Sequence, residues 1–126
     1  MTPDWAALRA AATEAAGRSY SPYSHFPVGA AALLRDGSVI SATNVENASY
    51  VAGICAETAL VGVLVAGGGT RGDLVAVAVT DPAGSDLSPC GRCRQLLHEM
   101  GGGTLPLNER SMDEWLPGAF GPEDLG

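Results

Sequence analysis

Three cysteines and one glutamate in this chain stand at spacings that could do chemistry. Glu57 follows Cys55 by two residues, and Cys90 and Cys93 stand three apart within Pro89-Cys90-Gly91-Arg92-Cys93. Three thiolates suit a zinc ion, which favours sulfur at about 2.3 Å and takes four ligands in a tetrahedron. Three protein ligands leave the fourth position for water, and zinc lowers the pKa of that water to roughly 7. A carboxylate beside the first ligand is placed to act as general acid and base. The expectation is metal-assisted hydrolysis, with Cys55, Cys90 and Cys93 holding one zinc per chain and Glu57 moving protons.

The elements that must position these groups can be read locally. Cys90 and Cys93 share one face of a helix. Ser88-Pro89 reads as an N-cap followed by proline at the first helical position. Ala56 to Ala66 is an apolar run that Gly67 stops, so Cys55 also opens a helix. Both ligand groups then lie at helix N-termini, where the macrodipole favours thiolate. Side chains two apart on a helix diverge. Cys55 should therefore sit at or before the N-cap, so that its sulfur and the Glu57 carboxylate can converge.

Composition bounds the rest. A chain of 126 residues with 46% hydrophobic and 17% charged content is read as one folded domain, 1–126. The net charge is −7 and the chain has no lysine, so an acidic surface argues against nucleic acid as partner. No apolar run approaches the roughly 20 residues of a membrane span. Met1-Thr2-Pro3-Asp4 offers neither a basic segment nor an apolar signal core. An odd number of cysteines, all in the metal cassette, fits a reducing, cytoplasmic setting.

Taken in order, Thr2-Pro3-Asp4 starts a helix with Trp5, Leu8, Ala12 and Ala15 on one stripe and Gly17 at its end. Pro22 and Pro27 keep the next stretch irregular until a strand, Val28 to Leu34. Arg35-Asp36-Gly37-Ser38 is a hairpin turn, and Val39 to Asn44 returns. The helix from Ala56 to Ala66 is apolar nearly all round, which suggests burial against other copies of the chain. Leu74 to Thr80 reads as an interior strand of the parallel kind. The second catalytic helix runs from Cys90 to Met100. Thr104 to Leu107 is a short strand that Pro106 assigns to an edge, and Ser111 to Glu114 is a capping box. Strands alternating with helices predict an α/β fold. It is a three-layer α/β/α sandwich whose mixed sheet has a leading β-hairpin.

The cassette resembles that of the zinc-dependent nucleobase deaminases, in which a His or Cys, a Glu two residues on, and P-C-x-x-C form the site. Cysteine at the first position matches the small three-cysteine type. Beyond the cassette the chain resembles cytidine deaminases over nearly its whole length. The matching words are Ser21-Pro22-Tyr23-Ser24, Phe26-Pro27-Val28-Gly29-Ala30, Asn44-Val45-Glu46-Asn47-Ala48-Ser49-Tyr50 and Leu116-Pro117-Gly118-Ala119-Phe120-Gly121-Pro122.

That resemblance implies roles. Asn44 and Glu46 would bond the ribose hydroxyls, Phe26 would pack on the pyrimidine, and Ala56 would help bind substrate. Tyr50 and Phe120 would line or close a neighbouring subunit's site in a homotetramer with composite active sites. The implied reaction is hydrolytic deamination of cytidine, with 2′-deoxycytidine, in pyrimidine salvage. The alternative is deamination of another aminopyrimidine nucleoside such as blasticidin S.

The chain departs from the pattern at Thr58, where many three-cysteine relatives carry Arg. Three thiolates leave the ion's surroundings negative, and Arg94 is expected to offset this from outside the ligand sphere. His98, five residues past Cys93, faces roughly 140° away from it on the helix and is not expected as a ligand. His25 lies outside the cassette.

Overall fold

A computed structural model describes residues 1–126. Helix α1 (Trp5–Ala16) starts at Asp4, whose carboxylate caps Ala7 N at 3.1 Å. Strands β1 (Gly29–Leu34) and β2 (Val39–Thr43) form an antiparallel hairpin. Its turn uses Gly37 at φ +89 and the Asp36 carboxylate, which accepts from Ser38 N. Helix α2 (Ala56–Ala66), strand β3 (Leu74–Thr80) and helix α3 (Gly91–Gly101) follow. The chain closes with β4 (Pro106–Leu107), β5 (Arg110–Ser111) and the single-turn helix α4 (Met112–Trp115).

The five strands are ordered β2-β1-β3-β4-β5. Alternation along β1 and β3 sends side chains to two cores. Ala31, Ala76 and Ala78 meet Leu8 and Ala12 of α1 on one face. Ala30, Ala32, Val77 and Val79 meet Leu60, Leu64 and Leu97 of α2 and α3 on the other. The expected three layers are present, with the leading hairpin at one side of the sheet. The α1 face is almost all alanine because α1 sits very close. A Cβ on Gly29 would lie 1.8 Å from the Ala12 carbonyl oxygen, so only glycine fits there.

Two expectations change. The long pairing of β3, with β1, is antiparallel, and only Val77↔Leu107 joins it to β4 in parallel. An apolar run reports burial on both faces, not strand direction. Pro106 is not at the edge. The turn at Asn108 and Glu109 folds β5 back over β4, and Pro106 pairs with Ser111. Within one chain α2 is covered on one side only. Leu60 and Leu64 are buried, but Val63 and Val65 are exposed.

Candidate metal centre and substrate cleft

Cys55 is the N-cap of α2 and Cys90 the N-cap of α3, both with extended backbone. Cys55 thus sits just outside the helix, at the N-cap position the spacing called for. Cys93 follows in the first turn of α3 and is buried, while Cys90 is exposed and Cys55 lies between these extremes. The three sulfurs lie within 4.8 Å of one another, and Cys55 Sγ is 3.9 Å from Cys90 Sγ. The edge of a tetrahedron with zinc–sulfur bonds is about 3.8 Å. The donor set therefore fits one zinc ion, and no His, Asp or Glu belongs to the cluster.

Electrostatics at the cluster follow position. Burial pushes the Cys55 thiol up, and the neighbouring Cys90 adds to this. Burial likewise pushes Cys93 up, with Glu57 adding to it. Burial also opposes ionisation of Cys90, but the N–H and thiol of Cys93 outweigh it and hold Cys90 below its ordinary value. The two helix N-termini favour the same charge. Thr58 Oγ1 lies 3.8 Å from Cys93 Sγ, so a hydroxyl stands where Arg was the expected type.

Glu57 is 4% exposed, in the first turn of α2. Burial pushes its carboxyl up, opposed by its own backbone N–H and by the Cys93 thiol. A raised carboxyl near the metal cluster suits a group that must both take and give a proton.

The cluster opens on a cleft of about 420 Å³ whose lining includes Cys55, Ala56, Glu57, Cys90, Phe26 and Glu46. Asn44 and Tyr50 border it as well, and no Arg or Lys does. Phe26 is 56% exposed and is held in place through its backbone. Its N–H donates to Ser24 Oγ and its carbonyl accepts from Asn44 Nδ2, at 3.1 and 3.0 Å. Asn44 Oδ1 accepts from Val28 N at 2.9 Å and from Ser19 Oγ at 2.5 Å. One amide thus ties the irregular 19–28 segment to the end of β2.

Glu46 does the same for the next loop. Its Oε1 accepts from Tyr23 N and Ser24 N at 3.0 and 3.1 Å, and the Ser24 hydroxyl bonds Oε2. The Ser24 hydroxyl, then its N–H, hold Glu46 below the usual carboxylate range. Tyr50 stands edge-on to Tyr23, with centroids 6.3 Å apart, beside the chain's own cleft.

Other sequence-singled residues lie elsewhere. Phe120 is outside the cleft, its carbonyl accepting from Gln95 Nε2 at 2.7 Å. His98 meets Asp113 at 3.3 Å, away from the sulfurs as expected. Arg94 directs no bond to sulfur. Its Nε donates to Pro89 O and its Nη1 to Trp115 O, both at 2.8 Å, and it stacks on the Trp115 ring. The first of these bonds holds the backbone just ahead of Cys90. Sequence reasoning missed Val79 and Leu87 as cleft walls, and Asn108 behind them. Only the Asn type in a tight turn hinted at the last.

Residues 3–107 match the family described as the cytidine and deoxycytidylate deaminase zinc-binding region. All three cysteines lie within that match.

The chain belongs to this deaminase family.

Its similarity to individual deaminases is high. It is 52% identical over 126 residues to a cytidine deaminase of Mycobacterium tuberculosis, covering 97% of this chain and 93% of that one. It is 43% identical to a cytidine deaminase of Halalkalibacterium halodurans over 124 residues, 90% of this chain and 92% of the other. The crystal structure of a mutant cytidine deaminase from M. tuberculosis superposes with a TM-score of 0.92 at 49% identity. That match covers 98% of this chain and 99% of the other. The deaminase match ends at residue 107, so Phe120 falls beyond it.

Proposed function

We propose that this chain hydrolyses the 4-amino group of cytidine, and of 2′-deoxycytidine, giving uridine or 2′-deoxyuridine and ammonia. The observation that carries this is the joining of three clustered thiols and a buried glutamate at one end of a nucleoside-sized cleft. Cys55, Cys90 and Cys93 would hold zinc, which supplies Lewis acidity and lowers the pKa of water to roughly 7.

The chain's own residues do the rest. Glu57 takes the proton of the attacking water and passes it to N3 of the base. It then carries the second proton to the 4-amino nitrogen, which leaves as ammonia. The water oxygen becomes O4 of the product. Phe26 offers a ring face to the pyrimidine. The Ala56 N–H points from the α2 N-terminus, where partial negative charge on the base is favoured. The remaining Asn44 Nδ2 hydrogen and the free lone pairs of Glu46 suit ribose hydroxyls.

A cleft with Glu46 and Glu57 and no cationic side chain repels a phosphate, which favours nucleoside over nucleotide. The same absence of cations disfavours polynucleotides. The setting we infer is cytoplasmic pyrimidine salvage. No helix is long and apolar enough to cross a membrane. We infer a homotetramer with composite sites, in which Tyr50 and Phe120 serve a neighbour. Exposed Val51, Tyr50, Val63 and Val65 support it, since such apolar surface favours association.

Ammonia release from cytidine, measured beside zinc content, tests the reading. One zinc per chain with turnover of cytidine but not of CMP is expected. Absence of turnover in zinc-loaded protein would overturn it.

A further inference from the structure

Asn108 and Glu109 form the two-residue turn between β4 and β5, with φ of +49 and +65. Successive left-handed residues are what a type I′ hairpin requires, and Asn tolerates that backbone well. Turn geometry accounts for the residue type but not for where the side chain goes. Asn108 Oδ1 accepts from Val79 N at 2.9 Å. Asn108 Nδ2 donates to Val79 O and to Leu87 O, both at 3.1 Å. The carboxamide thus joins the end of β3 to the segment that leads into Cys90.

That segment matters because it carries Cys90, whose own carbonyl accepts from Arg94 N at 2.9 Å but whose side chain is not tied to α3. Cys90 is the exposed member of the cluster. Leu87 and Ser88 line the cleft, and Pro89 is buried. The stretch is held by one backbone bond, Leu87 N–H to Val79 O at 3.0 Å, and by side chains at two carbonyls, Leu87 O from Asn108 and Pro89 O from Arg94. Arg9 of α1 braces the same region from the opposite layer. It pairs with Asp86 through two bonds of 2.8 and 3.0 Å, and with Glu109 at 2.8 Å.

We infer that Asn108 is a positioning residue for the metal centre. Its carboxamide, bonded to both Val79 and Leu87, reinforces the direct Leu87 N–Val79 O link and so sets the spacing between β3 and the Leu87–Cys90 segment. It thereby keeps the Cys90 sulfur in register with Cys55 and fixes the cleft wall at Val79 and Leu87. The inference rests on reading the three cysteines as a zinc site. No other side chain can replace it in full. An aspartate would set a carboxylate oxygen against two carbonyls, and a glycine keeps the turn but makes none of the three bonds.

The test follows zinc release from the loaded, full-length protein into excess chelator at 25 °C. Asn108→Gly and Asn108→Asp are compared with the native chain and with Leu8→Ala. Leu8 is buried against α1's face of the sheet and takes no part in the site. Outer partners of metal ligands are worth roughly 10–100-fold in affinity or activity. Both Asn108 variants should release zinc at least tenfold faster and lose kcat/KM to a similar degree. Leu8→Ala should lower Tm with native release.

Native release rates in the Asn108 variants, with a Tm loss like that of Leu8→Ala, would overturn the inference. If Asn108→Gly does not fold, Asn108→Asp and Asn108→Ser carry the same comparison and decide it. A native chain that binds no zinc would instead refute the metal reading. A native chain that binds zinc without deaminating cytidine would refute only the activity.

Discussion

Thr58 and Cys93, on two different helices, meet with hydroxyl oxygen and sulfur 3.8 Å apart. The side chain after Glu57 is thus turned to the ligand cluster rather than to solvent. A hydroxyl can donate to a thiolate and draw off part of its charge, as Arg would do more strongly. Thr58→Val keeps the shape and removes the donor. The zinc-saturated variant should lose roughly fivefold in kcat, the worth of about 1 kcal/mol. A pH–rate profile of kcat checks it: the acidic limb should move to higher pH, because a more electron-rich cluster acidifies water less. An unchanged profile would show that the hydroxyl is a packing group only.

Glu57 is the one carboxylate buried beside the sulfurs. Glu57→Gln preserves volume but can neither accept nor return a proton. Zinc content should stay at one per chain while kcat falls by roughly 10²–10⁴-fold, the usual worth of a general acid–base group. Metal analysis and single-turnover kinetics on the same sample separate the two effects.

Glu46 links substrate recognition to loop order, because the Tyr23–Ser24 backbone hangs on its carboxylate. Its folded-state pKa is lowered, chiefly by the Ser24 hydroxyl. The sign then follows. The staple is fully present above the ordinary glutamate value of roughly 4.3 and is lost only as pH falls through the lower folded value. KM for cytidine should show no Glu46-dependent change between pH 5 and 8. Glu46→Gln should raise KM on the order of tenfold across that whole range. A KM that rises toward pH 5 in the native chain but not in the variant would contradict this.

Gly29 tests the packing of α1. An added Cβ would fall 1.8 Å from the Ala12 carbonyl, a backbone atom that cannot swing aside. Gly29→Ala should cost about 1–3 kcal/mol, as overpacked cores do, or more if α1 lifts away. Urea denaturation of the zinc-loaded protein measures it.

The parts of the fold that were legible are those with local causes. Asp4 and Gly17 bound α1, Asp36-Gly37 turns the hairpin, and Gly67 ends α2, because caps and turns act within a few residues. Strand β5 was not legible, since two residues carry no period and the I′ turn of Asn108-Glu109 lacks the glycine that usually marks one. The partners of Arg94 were not legible for a related reason: its fork is met by two backbone carbonyls, Pro89 O close in sequence and Trp115 O from beyond β5.

The order of residues alone determined which groups could bind a metal and that Cys55 and the Cys90–Cys93 pair would each open a helix. Both are consequences of side-chain chemistry and of spacings shorter than one helical turn. Tertiary structure alone decided that Cys55 and Cys90, 35 positions apart, would come within 3.9 Å. It also placed Glu57 and Phe26 on one cleft and left Phe120 off it. The physical reason is that such distances are set by how two helices and a close-fitting α1 pack on opposite faces of one sheet. No local preference contains that packing.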